Sequence, residues 1–256
     1  MARNRRQRRG SSGSIYNKLG ILIVCILMIS VFVGVYLNQP PILNQNFCPK
    51  EAEISENTYA ILLDTTQEIS ATQKNEITNF INEALKNAEV YDRFIIYQVD
   101  PSQNKLLSSD FDYCKPAKDK LDNPVFSIFR DVRFKKLIAD KLAPDFGRNS
   151  SPIIRAIGSV ETQFPTNGSK RHLIIASDLI ENSELLSQIN SKWKAQAKQN
   201  SKVLIDTKPN LTDINLTVLW IPRPYVPHHN DDFILWWGRY FKSAKADITE
   251  IIKIKG

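Results

Sequence analysis

Residues 59–68 read Tyr59-Ala60-Ile61-Leu62-Leu63-Asp64-Thr65-Thr66-Gln67-Glu68. An apolar run followed by a carboxylate and hydroxyls is typical of a buried strand at whose carboxyl end an open α/β sheet places its ligand site. A second such strand, residues 173–176, ends in Ser177 and Asp178. Two strands that end in a hydroxyl and a carboxylate indicate a site for a hard cation or a polar ligand at one edge of the sheet.

Strands and helices alternate along the chain beyond this stretch. The apolar pattern predicts strands at residues 59–63, 93–99, 173–176 and 216–221. Helical spacing predicts helices at residues 69–88, 131–142, 152–160, 183–199 and 231–246. The alternation predicts an α/β domain over residues 58–256, with a doubly wound, mostly parallel sheet of Rossmann-like type covered on both faces. Residues 101–127 break the pattern and are predicted to form an inserted loop.

The N-terminal part of the chain has a different composition. Gly20 to Leu37 is an uninterrupted apolar run of 18 residues. That length is at the short end of what spans a hydrocarbon core of about 30 Å. A cleaved signal peptide would have a shorter apolar region and a small-residue cleavage site, and neither is seen here. We therefore predict a basic tail at residues 1–18, a single transmembrane helix at residues 19–37 and a stalk at residues 38–57.

The net charge of +7 belongs to the N-terminal region. Residues 1–50 contain seven of the 34 basic residues and none of the 27 acidic ones, so the rest of the chain carries 27 of each. Basic residues that flank a first span tend to stay in the cytoplasm, which predicts that residues 38–256 lie outside the membrane, in the periplasm if the cell is a bacterium. A nucleic-acid-binding surface is not predicted on the electrically balanced domain.

The cysteines and histidines allow more than one interpretation. Cys25 lies in the predicted span, whereas Cys48 and Cys114 both follow it. An oxidising compartment would allow these two to form a disulfide, and two unpaired thiols are the alternative. The three histidines lack the spacing of a zinc site and are predicted to be surface residues.

The polar strand ends resemble a known motif. Residues 64–68 are similar to the Asp-x-Ser/Thr-x-Ser sequence that opens the metal site of von Willebrand factor A (vWA) domains. Residues 149–153 resemble the turn that precedes a helix in that family, with Ser151 in place of a threonine, and Asp178 matches a later aspartate at a strand end. The order of the elements also agrees, over roughly residues 57–250.

In that family these positions form a metal-ion-dependent adhesion site, which holds a divalent cation and takes a carboxylate from a partner protein. The resemblance implies Mg²⁺, which prefers hydroxyl and carboxylate oxygens. The implied ligands are Asp64, Thr66, Glu68, Ser151 and Asp178. Glu68 departs from the family's serine, and it would either strengthen cation binding or fill the position of the partner's carboxylate. A structural explanation also stays open, because Thr66 and Glu68 would stabilise the start of the following helix.

The function predicted from these features is not enzymatic. The chain is predicted to be a membrane-anchored, vWA-like module that binds a protein partner as a component of an envelope-associated assembly. Two alternatives remain open: a metal-dependent hydrolase that uses the same carboxylates, and a structural subunit with a vestigial metal site. Fold resemblance does not choose between them, because one fold serves many functions.

Overall fold

The structure is a computed structural model that describes residues 12–37, 42–50, 57–66, 68–99, 111–116, 132–136, 140, 150–165 and 170–255. The chain divides into two compact units, Met1–Ile42 and Leu43–Gly256. Asn149 and most of the segment predicted to be an inserted loop lie outside the described residues.

The first unit contains a helix, α1, at Ser12–Leu37. Its described side chains are largely exposed, as the 76% exposure of Phe32 and the 70% exposure of Met28 show. Within the described residues, no helix reaches the length and apolar character that crossing a membrane requires. The anchor predicted at residues 19–37 therefore stays a prediction.

The second unit is built on a six-stranded sheet. The strands are β1 at Asn57–Leu63, β2 at Arg93–Gln98, β3 at Phe111–Cys114, β4 at Lys170–Ser177, β5 at Ile214–Trp220 and β6 at Asp247–Lys253. They lie in the order β3-β2-β1-β4-β5-β6, and each neighbouring pair is parallel except β2 and β3. The predicted α/β class is confirmed, but the sheet is mixed, because an antiparallel strand closes one edge.

Five helices of the described residues in this unit are named here. They are α2 at Ala71–Asn87, α3 at Ile153–Gln163, α4 at Trp193–Gln199, α5 at Ser201–Asp206 and α6 at Asp231–Ser243. Residues 132–136 are also helical. The helix predicted at residues 183–199 forms only from Trp193 onward, and residues 183–192 are irregular.

The central strand β1 packs against core residues on both faces of the sheet. Ile61 joins one cluster with Ile77 and Ile81 of α2, whereas Leu62 joins the other with Ile157 of α3. Ile61 and Leu62 are both fully buried. Burial on both faces explains the unbroken apolar run that the sequence shows, since such strands do not alternate between apolar and polar residues.

The start of α2 shows whether Thr66 and Glu68 stabilise the beginning of this helix. Ser70 is the N-cap: its Oγ accepts a hydrogen bond from the Gln73 amide, and Gln73 Oε1 accepts one from the Ser70 amide. This reciprocal pair is a capping box. Thr66 and Glu68 lie upstream of the cap, so that explanation for them is wrong.

The segment before β1 is joined to the sheet through a disulfide. Cys48 and Cys114 are bonded, and the Cys114 amide donates a hydrogen bond to the carbonyl of Asn46 at 2.9 Å. Phe47 is buried beside the ring of Tyr113. The disulfide therefore connects residues 43–50 to β3, within the region that the sequence predicted to be a loop.

Candidate functional site

The polar strand ends meet at the carboxyl edge of the sheet. In the parallel register of β1 and β4, Leu63 lies opposite Ala176, which brings the next residue of each strand together. The Asp64 amide donates a hydrogen bond to the Ala176 carbonyl at 2.9 Å. The two strand ends that the sequence singled out thus form one site.

Asp64 lies at the centre of this site and is surrounded by hydroxyl groups. Its Oδ1 accepts hydrogen bonds from the hydroxyl of Thr66 at 2.6 Å and from the Thr66 amide at 3.0 Å. Its Oδ2 accepts one from Ser177 at 2.7 Å, while Ser151 Oγ is 3.4 Å away, at the long end of the range. Asp64 is only 7% exposed, so these donors replace the water that a carboxylate would otherwise bind.

Asp178 is the second carboxylate, and its partner is a cation of the protein itself. Its Oδ2 accepts a hydrogen bond from Arg223 Nε at 2.8 Å, and its Oδ1 accepts one from the Ile180 amide at 2.9 Å. Both members of the ion pair are buried, with side-chain exposures of 2% and 8%. Burial and the charge of Asp64 raise the pKa of Asp178 to about 6, although Arg223 and the Ile180 amide act in the opposite direction.

Arg223 is held in place by several elements. It follows β5 between two prolines, whose fixed φ angles limit the freedom of the backbone. Its Nη1 donates to the Glu68 carbonyl at 2.8 Å, and its amide donates to His229 Nδ1 at 2.7 Å. Nδ1 accepts a hydrogen bond from a backbone amide that can only donate, so in the neutral ring the hydrogen is on Nε2. Nε2 lies 2.7 Å from the Asp178 carbonyl, to which it donates in this tautomer, and 3.1 Å from the indole nitrogen of Trp220.

His229 is part of the support of this site, which corrects the prediction that it is a surface residue. It is 7% exposed. Burial lowers its pKa to about 4, so the ring is neutral at physiological pH and Nδ1 can accept the hydrogen bond from the Arg223 amide. A polar ring in a loop gave no sequence signal of burial, because its hydrogen-bond partners come from two other segments.

Of the five predicted ligands, three converge. Asp64, Thr66 and Ser151 lie together, Asp178 is close by but paired with Arg223, and the Glu68 side chain is exposed. Glu68 reaches the site through its carbonyl oxygen alone. The role suggested for its carboxylate, filling the open position of a metal, therefore has no support in this arrangement.

These residues do not fit a complete Mg²⁺ site as they are arranged. Both oxygens of Asp178 are used by Arg223 and the Ile180 amide. A divalent cation beside Asp178 would also meet a buried guanidinium, and like charges repel strongly where water is excluded. In the described part of the chain, no cluster of three or more histidine, cysteine, aspartate or glutamate residues could hold a metal. Asp64, Thr66 and Ser151 by themselves supply three oxygens.

Glu181 positions the Ser151 side of the site and was missed in the sequence. It is fully buried, and its Oε2 accepts a hydrogen bond from the Ile154 amide at the start of α3, at 2.8 Å. Its neighbour Asn182 pairs with Ser151 through two backbone hydrogen bonds. The first amides of a helix have no partner within the helix, and a carboxyl oxygen accepts a hydrogen bond from them whether or not the group is ionised. Glu181 therefore caps α3, whose own N-cap Pro152 makes no side-chain cap.

Glu181→Gln is expected to flatten the pH dependence of stability. Burial raises the pKa of Glu181 from 4.5 to about 7. Between these two values the unfolded chain loses this proton while the folded chain keeps it, so the free energy of unfolding falls as the pH rises. The shift corresponds to a change of about 3 kcal/mol in the free energy of unfolding. Glutamine does not titrate, so Glu181→Gln lacks this change. Urea unfolding at pH 4.5 and pH 8 measures the difference.

Glu184→Gln, an exposed change in the same segment, is the matched control and should keep the slope of the unaltered chain. An unchanged slope in Glu181→Gln would mean that Glu181 is ionised in the folded state.

No protein-family model and no curated protein sequence matches this chain. Among solved structures, the chain is similar to the conserved hypothetical protein BatB from Bacteroides thetaiotaomicron, with 15% identity and a TM-score of 0.41 over 78% of this chain and 90% of that one. An aerotolerance-related membrane protein from Bacteroides fragilis shows 16% identity and a TM-score of 0.40, over 78% and 92%.

A von Willebrand factor type A structure from Catenulispora acidiphila is also similar, with 13% identity and a TM-score of 0.37 over 75% of this chain and 43% of that one. It belongs to the family that residues 64–68 resemble. Values this low assign the chain to no family.

Proposed function

We propose that this chain is a non-enzymatic, vWA-like interaction module that binds an acidic segment of a partner protein at the carboxyl edge of its sheet. The observation that carries the proposal is an open cleft of about 730 Å³ beside the Arg223–Asp178 pair. The cleft, called the basic cleft below, is lined by Arg223, Lys253, Lys255, Tyr225, Gln73 and Ser70, together with two prolines and Ile254. Lys253 and Lys255 supply positive charge to it, no acidic side chain lines it, and the charge of Arg223 is already paired with Asp178. The two lysines favour a negatively charged partner.

The wall of the basic cleft has two further features that support binding of a protein partner. Tyr225 is 69% exposed at its wall. Large aromatic side chains are frequent anchors of protein–protein interfaces. Pro222 and Pro224 stiffen the same wall, so less conformational freedom is lost when a partner binds.

The absence of catalysis is part of the proposal and is supported by the state of the carboxylates. Asp64 is surrounded by hydroxyl donors, and Asp178 is paired with Arg223. A general base must lie within hydrogen-bonding distance of the proton that it removes from a substrate. Both carboxylates already bond groups of this chain, which favours the non-enzymatic proposal over the hydrolase alternative.

We also propose that the module is anchored in a membrane and belongs to an envelope-associated assembly outside the cytoplasm. The 18-residue apolar run at Gly20–Leu37 and the Arg-rich tail before it support the anchor and its orientation. The bonded pair Cys48 and Cys114 agrees with an oxidising compartment, where disulfides persist.

Charge reversal in the basic cleft tests the binding surface. Lys253→Glu and Lys255→Glu should each weaken binding of a fluorescein-labelled peptide of alternating glutamate and glycine by about tenfold, because a like charge now faces the ligand. Fluorescence anisotropy with the purified full-length chain measures the affinity, and the effect should shrink as salt is added. Both lysines are exposed, so the changes should not disturb the fold.

Lys202→Glu makes the same charge change at an exposed position that does not line the cleft, and it should leave the affinity unchanged. The proposal fails if Lys202→Glu weakens binding equally, or if a peptide with glutamine in place of glutamate binds as well.

A cation-dependent module is the second candidate. It is favoured by the convergence of Asp64, Thr66 and Ser151, whose oxygens are of the kind that Mg²⁺ prefers. This candidate requires Arg223 to leave Asp178, and it predicts that the unaltered chain has a saturable metal site that Asp64→Asn abolishes.

A further inference from the structure

The carboxyl edge of the sheet contains two carboxylates and one guanidinium, all buried. Asp64 accepts a hydrogen bond from the hydroxyl of Ser177, the residue directly before Asp178, at 2.7 Å, because β1 and β4 end side by side. Arg223 Nε lies 2.8 Å from Asp178 Oδ2, and the arginine side chain is 8% exposed. A buried carboxylate needs either a cation or a full set of hydrogen-bond donors. Here Asp64 has the hydrogen-bond donors and Asp178 has the cation.

Asp64 and Asp178 divide these two kinds of stabilisation between them. The hydroxyls of Thr66 and Ser177 donate to Asp64 at 2.6 and 2.7 Å and need no metal to do so. The guanidinium of Arg223 neutralises Asp178 directly. Each carboxylate is thus already bonded by groups of this chain. The cluster keeps one negative charge, on Asp64, while the oxygens of Asp178 that a divalent cation would need are occupied by Arg223 and the Ile180 amide.

The position of Arg223 is built into the fold and does not depend on a flexible surface side chain. Its Nη1 bonds the Glu68 carbonyl after β1, its Nε bonds Asp178 after β4, and its own backbone follows β5. His229 holds the Arg223 amide and the Asp178 carbonyl at once. One side chain therefore joins the ends of three adjacent strands.

We infer that Arg223 is the resident cation of this site: its guanidinium takes the place of a divalent metal, bridges the ends of β1, β4 and β5, and makes the site independent of metal. The inference concerns the buried cluster and does not depend on the partner proposed for the basic cleft. It predicts that metal binding is absent while Arg223 is present and appears when its charge is removed.

Mn²⁺ titration of the purified full-length chain, followed by electron paramagnetic resonance of the free ion, tests the inference. The unaltered chain should show no saturable site at millimolar Mn²⁺. Arg223→Gln should gain one site per chain, because Asp178 loses its counter-ion, and added Mg²⁺ should compete for that site. Adding Asp64→Asn to Arg223→Gln should abolish the gained site.

Arg223→Lys is the matched control, since it keeps a positive charge and should bind no metal. The inference is overturned if the unaltered chain binds Mn²⁺ in a manner that Asp64→Asn removes, or if Arg223→Gln folds by circular dichroism and still binds none. If Arg223→Gln fails to fold, the unaltered chain and Arg223→Lys still test the inference. Mn²⁺ binding that depends on Asp64, in either of these two proteins, contradicts the inference. Absence of Mn²⁺ binding in both proteins supports it.

Discussion

Asp178→Ala is expected to lower the free energy of unfolding by about 3–5 kcal/mol, because it leaves a buried guanidinium without its counter-ion. Arg223 has a side-chain exposure of 8%, so water cannot replace the lost carboxylate. The Ile180 amide loses its acceptor in the same variant. Urea unfolding at pH 8 measures the effect, since burial raises the pKa of Asp178 to about 6 and the carboxyl is ionised above that value.

Two controls separate a buried charge pair from a general loss of contacts. Asp178→Ala combined with Arg223→Met removes both charges and should recover part of the stability that the single change loses. Asp112→Ala breaks the ion pair between Asp112 and Arg93, whose side chains are 31% and 33% exposed, respectively. This change should lower the free energy of unfolding by about 1 kcal/mol or less. Equal losses in Asp178→Ala and Asp112→Ala would show that burial does not strengthen the first pair.

The central part of the fold was predictable because its signals are local. Residues 59–63 and 173–176 are apolar runs followed by polar residues, and in a parallel sheet such runs place Asp64 and Ser177 side by side. The structure reproduces this juxtaposition, with a hydrogen bond of 2.7 Å between the two side chains. Adjacency of strand ends follows from topology and needs no knowledge of distant side chains.

The two edge strands were missed because one is poorly covered and the other is short. In β6 the residues are mostly exposed, and Ile251 is 36% exposed. Strand β3 has four residues and lies between stretches that gave no pattern. An apolar pattern arises from burial, so strands that are short or poorly covered give too few positions for the period to be recognised.

The role of Arg223 could not be deduced from spacing alone, because its partners are far away in sequence. It reaches Asp178 across 45 residues and the Glu68 carbonyl across 155. One signal was present: an arginine flanked by prolines directly after an apolar strand lies at the same sheet edge as the polar strand ends. The cap of α2 was also readable, since Ser70 and Gln73 have the spacing of a capping box.

Replacing both Cys48 and Cys114 with serine is expected to lower the free energy of unfolding by about 4 kcal/mol. The disulfide closes a loop with a sequence separation of 66 residues, and a cross-link of that span restricts the unfolded chain strongly. Urea unfolding of the full-length chain with and without a thiol reductant measures the same loss by a second route. Cys25→Ser, at an exposed position of α1, is the matched control and should change neither result.

The loss should be global, although the disulfide joins a short segment to an edge strand. Residues 43–50 keep the buried ring of Phe47 and the hydrogen bond from Cys114 to Asn46, so the native contacts can survive without the bond. The main effect then falls on the unfolded chain, which gains conformational freedom, and hydrogen exchange of the core amides in β1 and β4 should speed up with that of residues 43–50. Faster exchange in residues 43–50 alone would mean that the disulfide only holds this segment on the sheet, and the unfolding midpoint would then hardly move.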